Sequence, residues 1–80
     1  MNYKELQEKF DSNNVIRFKL YSLEYIIEKK ENYILAYAKE YSGRKQKYNS
    51  FKETLNDFKI YAEPLVNQID KIELIDKDDE

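Results

Sequence analysis

The side chains able to do chemistry in this chain concentrate in one run, Tyr41-Ser42-Gly43-Arg44-Lys45-Gln46-Lys47-Tyr48. Three cations stand there between two aromatic rings, with Lys39 and Lys52 nearby and Glu40 the single acid from residue 39 to residue 52. Cations suit carboxylates and phosphates, and rings pack on apolar side chains or stack on unpaired bases. The run therefore predicts contact with an acidic protein face or with nucleic acid. A plainer reading competes with both, because lysines at a sheet edge also keep it solvated and discourage unwanted pairing.

Other constellations carry less. Glu24 and Glu28 could divide acid and base work only if burial separated their pKa values, and on a sheet face they read as solubilising. Asp76, Asp78 and Asp79 lack the glycine and the terminal glutamate of a calcium loop. The chain has no histidine and no cysteine, which removes the usual ligands of zinc, copper and iron. It also leaves Ser12, Ser22, Ser42, Ser50 and Thr54 without an ordinary base to activate them. A single glycine cannot build a glycine-rich phosphate loop. The expectation is a protein that is not an enzyme and holds no cofactor and no metal.

Eighty residues support one hydrophobic core. With 41% hydrophobic and 38% charged residues, residues 1–75 are expected to form a single small globular domain. The net charge of −2 hides an asymmetry: Asp76-Lys77-Asp78-Asp79-Glu80 carries −3, leaving +1 on the body. Residues 76–80 are read as an acidic, disordered tail. No apolar run reaches the length of a membrane span, and the first residues carry no basic leader, so the expected location is cytoplasmic. Eight tyrosines form a notable excess, although an AT-rich genome favours tyrosine, lysine, asparagine and isoleucine codons.

These residues need elements to position them. Tyr3, Leu6, Gln7 and Phe10 recur at helical spacing, predicting a short amphipathic helix over residues 2–11 that Asp11-Ser12-Asn13-Asn14 breaks. Residues 15–41 admit two readings. As a helix, Leu23, Ile26, Ile27, Ile34, Tyr37, Ala38 and Tyr41 share a face and Gly43 is a stop. As strands turning at Lys29-Lys30-Glu31-Asn32, Glu28 pairs with Tyr33, Ile27 with Ile34, Tyr25 with Ala36 and Leu23 with Ala38, making one face wholly apolar on both arms. The helix would set Glu24 over Glu28 without a compensating lysine, and β-branched and aromatic residues dominate the segment. Strands are preferred.

Ile16, Phe18 and Leu20 alternate with the opposite parity to Leu23, Tyr25 and Ile27. A β-bulge near Tyr21-Ser22 would reconcile them within one long bent strand over 15–28. Ser42-Gly43 then predicts a hairpin joining a strand over 33–41 to a third over 44–49. Ser50-Phe51-Lys52-Glu53 fits a capping box, opening a helix that buries Phe51, Leu55 and Phe58 and ends near Asn56-Asp57. Pro64 suits the first turn of another short helix with Leu65, Val66 and Ile69 inward. Ile72, Leu74 and Ile75 either prolong it or form an edge strand.

The fold expected is α+β: an N-terminal helix, a three-stranded antiparallel meander and one or two short C-terminal helices, with an all-α three-helix bundle as the alternative. Tyr33, Leu35, Tyr37 and Ile26 then form an amphipathic patch on the less buried sheet face, with Tyr41 and Tyr48 on or near it, unless a helix covers it. The function expected is a non-enzymatic protein-interaction module, a small inhibitor or adaptor of bacterial or phage type. It would occupy an unidentified partner protein through Tyr33, Tyr37, Lys39, Tyr41, Arg44, Lys45, Lys47 and Tyr48. The alternatives are nucleic-acid binding through the basic hairpin 44–47 and self-association, so that monomer and homodimer both stay open.

Overall fold

The computed structural model describes residues 2–75, and the expected acidic tail lies outside the described residues. The chain runs through α1 (Tyr3–Asn13), β1 (Val15–Leu20), β2 (Leu23–Lys29), β3 (Ile34–Ala38), a 3-10 turn (Lys39–Tyr41) and β4 (Gln46–Tyr48). It continues through α2 (Phe51–Asp57), β5 (Lys59–Ile60), β6 (Glu63–Pro64), a 3-10 helix (Leu65–Lys71) and β7 (Glu73–Leu74). The class is α+β as expected, and residues 15–41 are strands, which sets aside the all-α bundle.

The parity change between Leu20 and Leu23 has a different cause from the one expected. Residues 15–28 are not one bulged strand but a hairpin, with Leu20 opposite Leu23, Phe18 opposite Tyr25 and Ile16 opposite Ile27. Tyr21 and Ser22 form a two-residue turn and both take positive φ, 53° and 74°. That is the backbone of a turn whose twist matches the flanking strands. Asn-Gly normally marks it, and Tyr-Ser hides it. A two-residue turn swaps odd for even positions across the hairpin, so all six apolar residues reach one face without an insertion.

The next hairpin keeps the expected faces and shifts the register by two. Ile27 lies opposite Ala36 and Tyr25 opposite Ala38, because the Lys30 N–H bonds the Tyr33 carbonyl at 2.8 Å and only Glu31 and Asn32 remain in the turn. A shift of two preserves side-chain facing, and a shift of one would invert it. The sheet that results has five strands in the order β4-β3-β2-β1-β7, all antiparallel. The three-stranded meander is thus a four-stranded one, with β7 supplying the edge strand beside β1. A two-stranded ribbon, β5–β6, was not foreseen; its turn, Tyr61-Ala62, repeats the positive-φ pair at 55° and 68°.

Helix ends follow local chemistry. Asn2 caps α1: its Oδ1 accepts from the Glu5 N–H at 2.9 Å, and its own N–H donates to Glu5 Oε1 at 3.1 Å. The helix runs past the expected break at Asp11, to Asn13, and stops where Asn14 turns left-handed with φ of 62°, a role asparagine fills after glycine. Ser50 caps α2 by accepting from the Glu53 N–H at 3.0 Å, while Glu53 reaches back to the Asn49 N–H at 3.1 Å. Pro64 is the cap residue of the 3-10 helix and does not enter its first turn.

The two α-helices and the 3-10 helix bury their apolar side on one face of the sheet. Leu6 and Phe10 from α1, Phe51 and Leu55 from α2, and Leu65 and Ile69 from the 3-10 helix join Ile16, Phe18, Leu20, Tyr25, Ile27, Ile34 and Ala36 in a single core. Phe10 stacks on Phe51 with ring centroids 4.4 Å apart, tying the two α-helices together. No helix among the described residues is long and apolar enough to cross a membrane.

The left-handed turn gives a direct test. Ser22→Gly should stabilise the protein by about 1 kcal/mol, because glycine adopts positive φ without steric cost, and raise Tm by roughly 4–8 °C. Ser22→Val should lower it. A bent continuous strand would give the opposite order in thermal denaturation.

Candidate functional site

The face of the sheet that the helices leave alone is built by β1–β4. Tyr37, Leu35 and Ile26 form its centre, Arg17 and Lys19 lie on β1, and Glu24 and Glu28 on β2. Tyr37 is only 9% exposed yet lies outside the core cluster. Its shelter comes from neighbours on the same face. The Lys45 ammonium sits over its ring at 4.7 Å, and its hydroxyl donates to Glu28 Oε2 at 2.5 Å. Glu28 also pairs with Lys30 at 3.3 Å. Beside this chain, the Lys47 ammonium covers the Tyr33 ring at 4.5 Å. Register explains both stacks: Lys47 faces Leu35 across β3–β4, so the same ladder sets Lys45 beside Tyr37.

Electrostatics follow the contacts. The Glu28 carboxyl is held below the usual carboxylate range, chiefly by the Tyr37 hydroxyl, against an opposing effect of burial and with help from Lys30 and Lys45. The Tyr37 phenol is pushed up to about 12 by burial first, then by the hydrogen bond to Glu28 and that group's charge, with Arg17 acting the other way. Neither group is a poised acid or base at neutral pH: one is ionised and the other protonated. The pair works as a clasp.

The eight residues singled out from the sequence fall into three places. Tyr33, Tyr37, Lys45 and Lys47 meet on the open face as two cation–ring stacks. Lys39 stands at the edge of that face, paired with Glu24 at 3.4 Å. Tyr41 and Arg44 lie at the end of the sheet, where they line a groove with Tyr25, Phe58, Lys59 and Tyr61. Tyr48 is on the other side; opposite Ile34 it packs half-buried toward the core, 6.4 Å from the Phe58 ring. Burial raises its pKa, with Asp57 and Glu53 adding to the effect.

The basic segment is not a tight two-residue hairpin. Ser42 and Gly43 form a turn closed by the Arg44 N–H on the Tyr41 carbonyl at 2.9 Å, inside a longer loop that begins with the 3-10 turn. Gly43 has no positive φ, and a Cβ built on it would meet nothing within 4 Å. Its glycine character is therefore not required by the backbone.

Tyr21 and Tyr61 are residues the sequence reading passed over. Each opens a left-handed turn, and their rings meet at 5.2 Å although 40 positions separate them. The Lys71 ammonium approaches the Tyr21 hydroxyl at 3.4 Å. Gln68, buried at 2% exposure, donates from Nε2 to the carbonyls of Ile60 and Glu63 at 3.1 and 3.0 Å, holding the Tyr61 turn, while its Oε1 has no partner among the described residues. The pattern that could have revealed the Tyr21-Ser22 turn is the parity flip itself.

Among the described residues no cluster of carboxylates could hold a metal ion. Comparison with protein-family models, curated proteins and solved structures returns no match, so the reading of these surfaces rests on their chemistry alone.

Titration and unfolding test the site. In a pH titration followed by the ring resonances of Tyr37, the midpoint should lie near 12, and Glu28→Gln should move it toward the ordinary value of 10. A raised phenol stabilises the fold fully below pH 10 and loses that contribution as pH climbs through about 12. The depressed Glu28 contributes above the ordinary carboxylate range and loses its share as pH falls through its lowered value. Gln68→Ala, which strips two carbonyls of their donor, should cost about 1–3 kcal/mol in denaturant unfolding.

Proposed function

We propose that this chain is a non-enzymatic interaction module that occupies the surface of a partner protein through the open face of its sheet. The observation that carries the reading is the one-sided packing of the helices. It leaves Tyr33, Leu35, Tyr37 and Ile26 on the other face, with lysine ammonium groups over the two tyrosine rings. Tyrosine offers large contact area at low entropic cost and is enriched where proteins meet. Each cation–ring contact is worth about 0.5–1 kcal/mol when exposed, a cover weak enough to be exchanged for a partner's contacts. The role suggested is that of a small inhibitor or adaptor.

Nucleic acid is the weaker reading. The body carries +1, and Lys39, Lys45 and Lys47 already face carboxylate or ring neighbours, whereas modules dedicated to nucleic acid usually have a pI above about 9. Self-association through a sheet edge is opposed by short edges, three residues in β4 and two in β7.

Affinity capture on immobilised protein, with nuclease treatment and a salt series, tests the proposal. A retained protein should survive nuclease, and the double variant Lys45→Glu, Lys47→Glu should weaken its binding by roughly 10–100-fold without unfolding the chain. Retention that vanishes with nuclease and falls steeply with salt would sink it in favour of nucleic acid.

A further inference from the structure

One end of the molecule, which meets the open face at Tyr37, gathers three of its exposed tyrosines. Tyr21, Tyr41 and Tyr61 are 45%, 58% and 66% exposed. The topology brings them together, because the β1–β2 turn and the end of β3 share one end of the sheet and the β5–β6 turn leans on it through the Tyr21–Tyr61 contact. Tyr41 and Tyr61 line a groove of about 280 Å³ with Tyr25 and Phe58. Its charged residues are Arg44 and Lys59, and no Asp or Glu lines it. Neither cation makes an ion pair with a described residue. The Tyr25 hydroxyl makes no hydrogen bond to a described residue, and Tyr61 adds to the burial that raises its pKa.

The groove at the other end of the sheet supplies a contrast. It measures about 350 Å³ and mixes Asp11 and Glu31 with Lys29 and Lys30, so it has no preference of sign. Of these two grooves, the tyrosine groove is the one whose lining combines buried apolar residues with charge of one sign.

We infer that the groove bounded by Tyr41, Tyr61, Arg44 and Lys59 is a docking site for an acidic peptide segment of a partner, anchored by one bulky apolar side chain. The inference rests on the reading of the chain as an interaction module and names the chemistry of its partner. The volume is at or below the range of small-molecule sites, ~300–1,000 Å³, and accommodates one large side chain. Carboxylates flanking that anchor would meet Arg44 and Lys59, with Arg44 able to bind one in fork geometry. Single-stranded nucleic acid fits less well, because two cations offer few phosphate contacts.

The test is an amide-resolved NMR titration of the full chain with synthetic peptides of about a dozen residues, rich in Asp and Glu around one Leu, Phe or Tyr. The controls are the same peptides with Lys replacing the acids, and an oligothymidylate of similar length. Acidic peptides should shift Tyr41, Arg44, Lys59 and Tyr61, and Arg44→Glu with Lys59→Glu should weaken binding by roughly tenfold or more. Tyr61→Ala should weaken it with the charges intact. Shifts confined to Tyr33, Leu35 and Lys47 would overturn the groove and leave the module reading standing. Preferential binding of the oligothymidylate, or no shift with any acidic peptide at millimolar concentration, would overturn the inference outright.

Discussion

A five-stranded sheet presents two faces, and the helical segments of this chain can cover one. At ~1.5 Å per residue the eleven residues of α1 span roughly 16 Å and the seven of α2 roughly 10 Å, against a sheet about 20 Å wide at ~4.8 Å per strand. Both helices, the 3-10 helix and Phe58 are consumed by the face carrying Phe18, Tyr25 and Ile27. The second face must be made compatible with water by its own side chains. Its alternation of Arg17, Lys19, Glu24 and Glu28 with Ile26, Leu35 and Tyr37 answers that need, and the same need makes it the natural place for a partner.

The two faces are therefore held by different physics. On the inner one, shape and burial decide, as in the Phe10–Phe51 stack and the Phe18–Tyr25 pair at 5.5 Å, each worth about 0.5–1.5 kcal/mol beyond its area. On the outer one, Tyr37 is kept from water by a lysine stem, a carboxylate and an isoleucine. Those contacts are individually small and separately removable. The core has no such freedom, because even a methylene removed from a close-packed interior is felt.

Much of this architecture was legible in the sequence, and the failures have definite causes. Apolar alternation on the two arms around residues 23–38 gave the facing of every side chain there, since facing survives a register shift of two. The exact register did not follow, because Lys-Lys-Glu-Asn contains no residue that demands a particular turn length. The Tyr21-Ser22 turn was hidden for a related reason: left-handed backbone is announced by glycine or asparagine, and a tyrosine held there by the strands on either side announces nothing. Gly43 misled in the opposite sense, being the single glycine and yet placed where none is needed. For the site, adjacency in sequence grouped Tyr41, Arg44, Lys45, Lys47 and Tyr48, but strand alternation sends Lys45 and Lys47 to one face and Tyr48 to the other. Tyr21 and Tyr61 could not be linked at all without the sheet that brings their turns together.

The sheet order has a consequence for how the protein comes into being. Strands β1 to β4 form a meander of near neighbours, so each can pair with its predecessor as soon as it emerges from the ribosome. β7 is different: it lies against β1, with Leu74 opposite Phe18 and the Ile75 N–H on the Arg17 carbonyl at 2.9 Å. Of the pairings in this sheet, β1–β7 joins the residues farthest apart in sequence, so it carries the largest loop-closure entropy of any strand pair in the sheet.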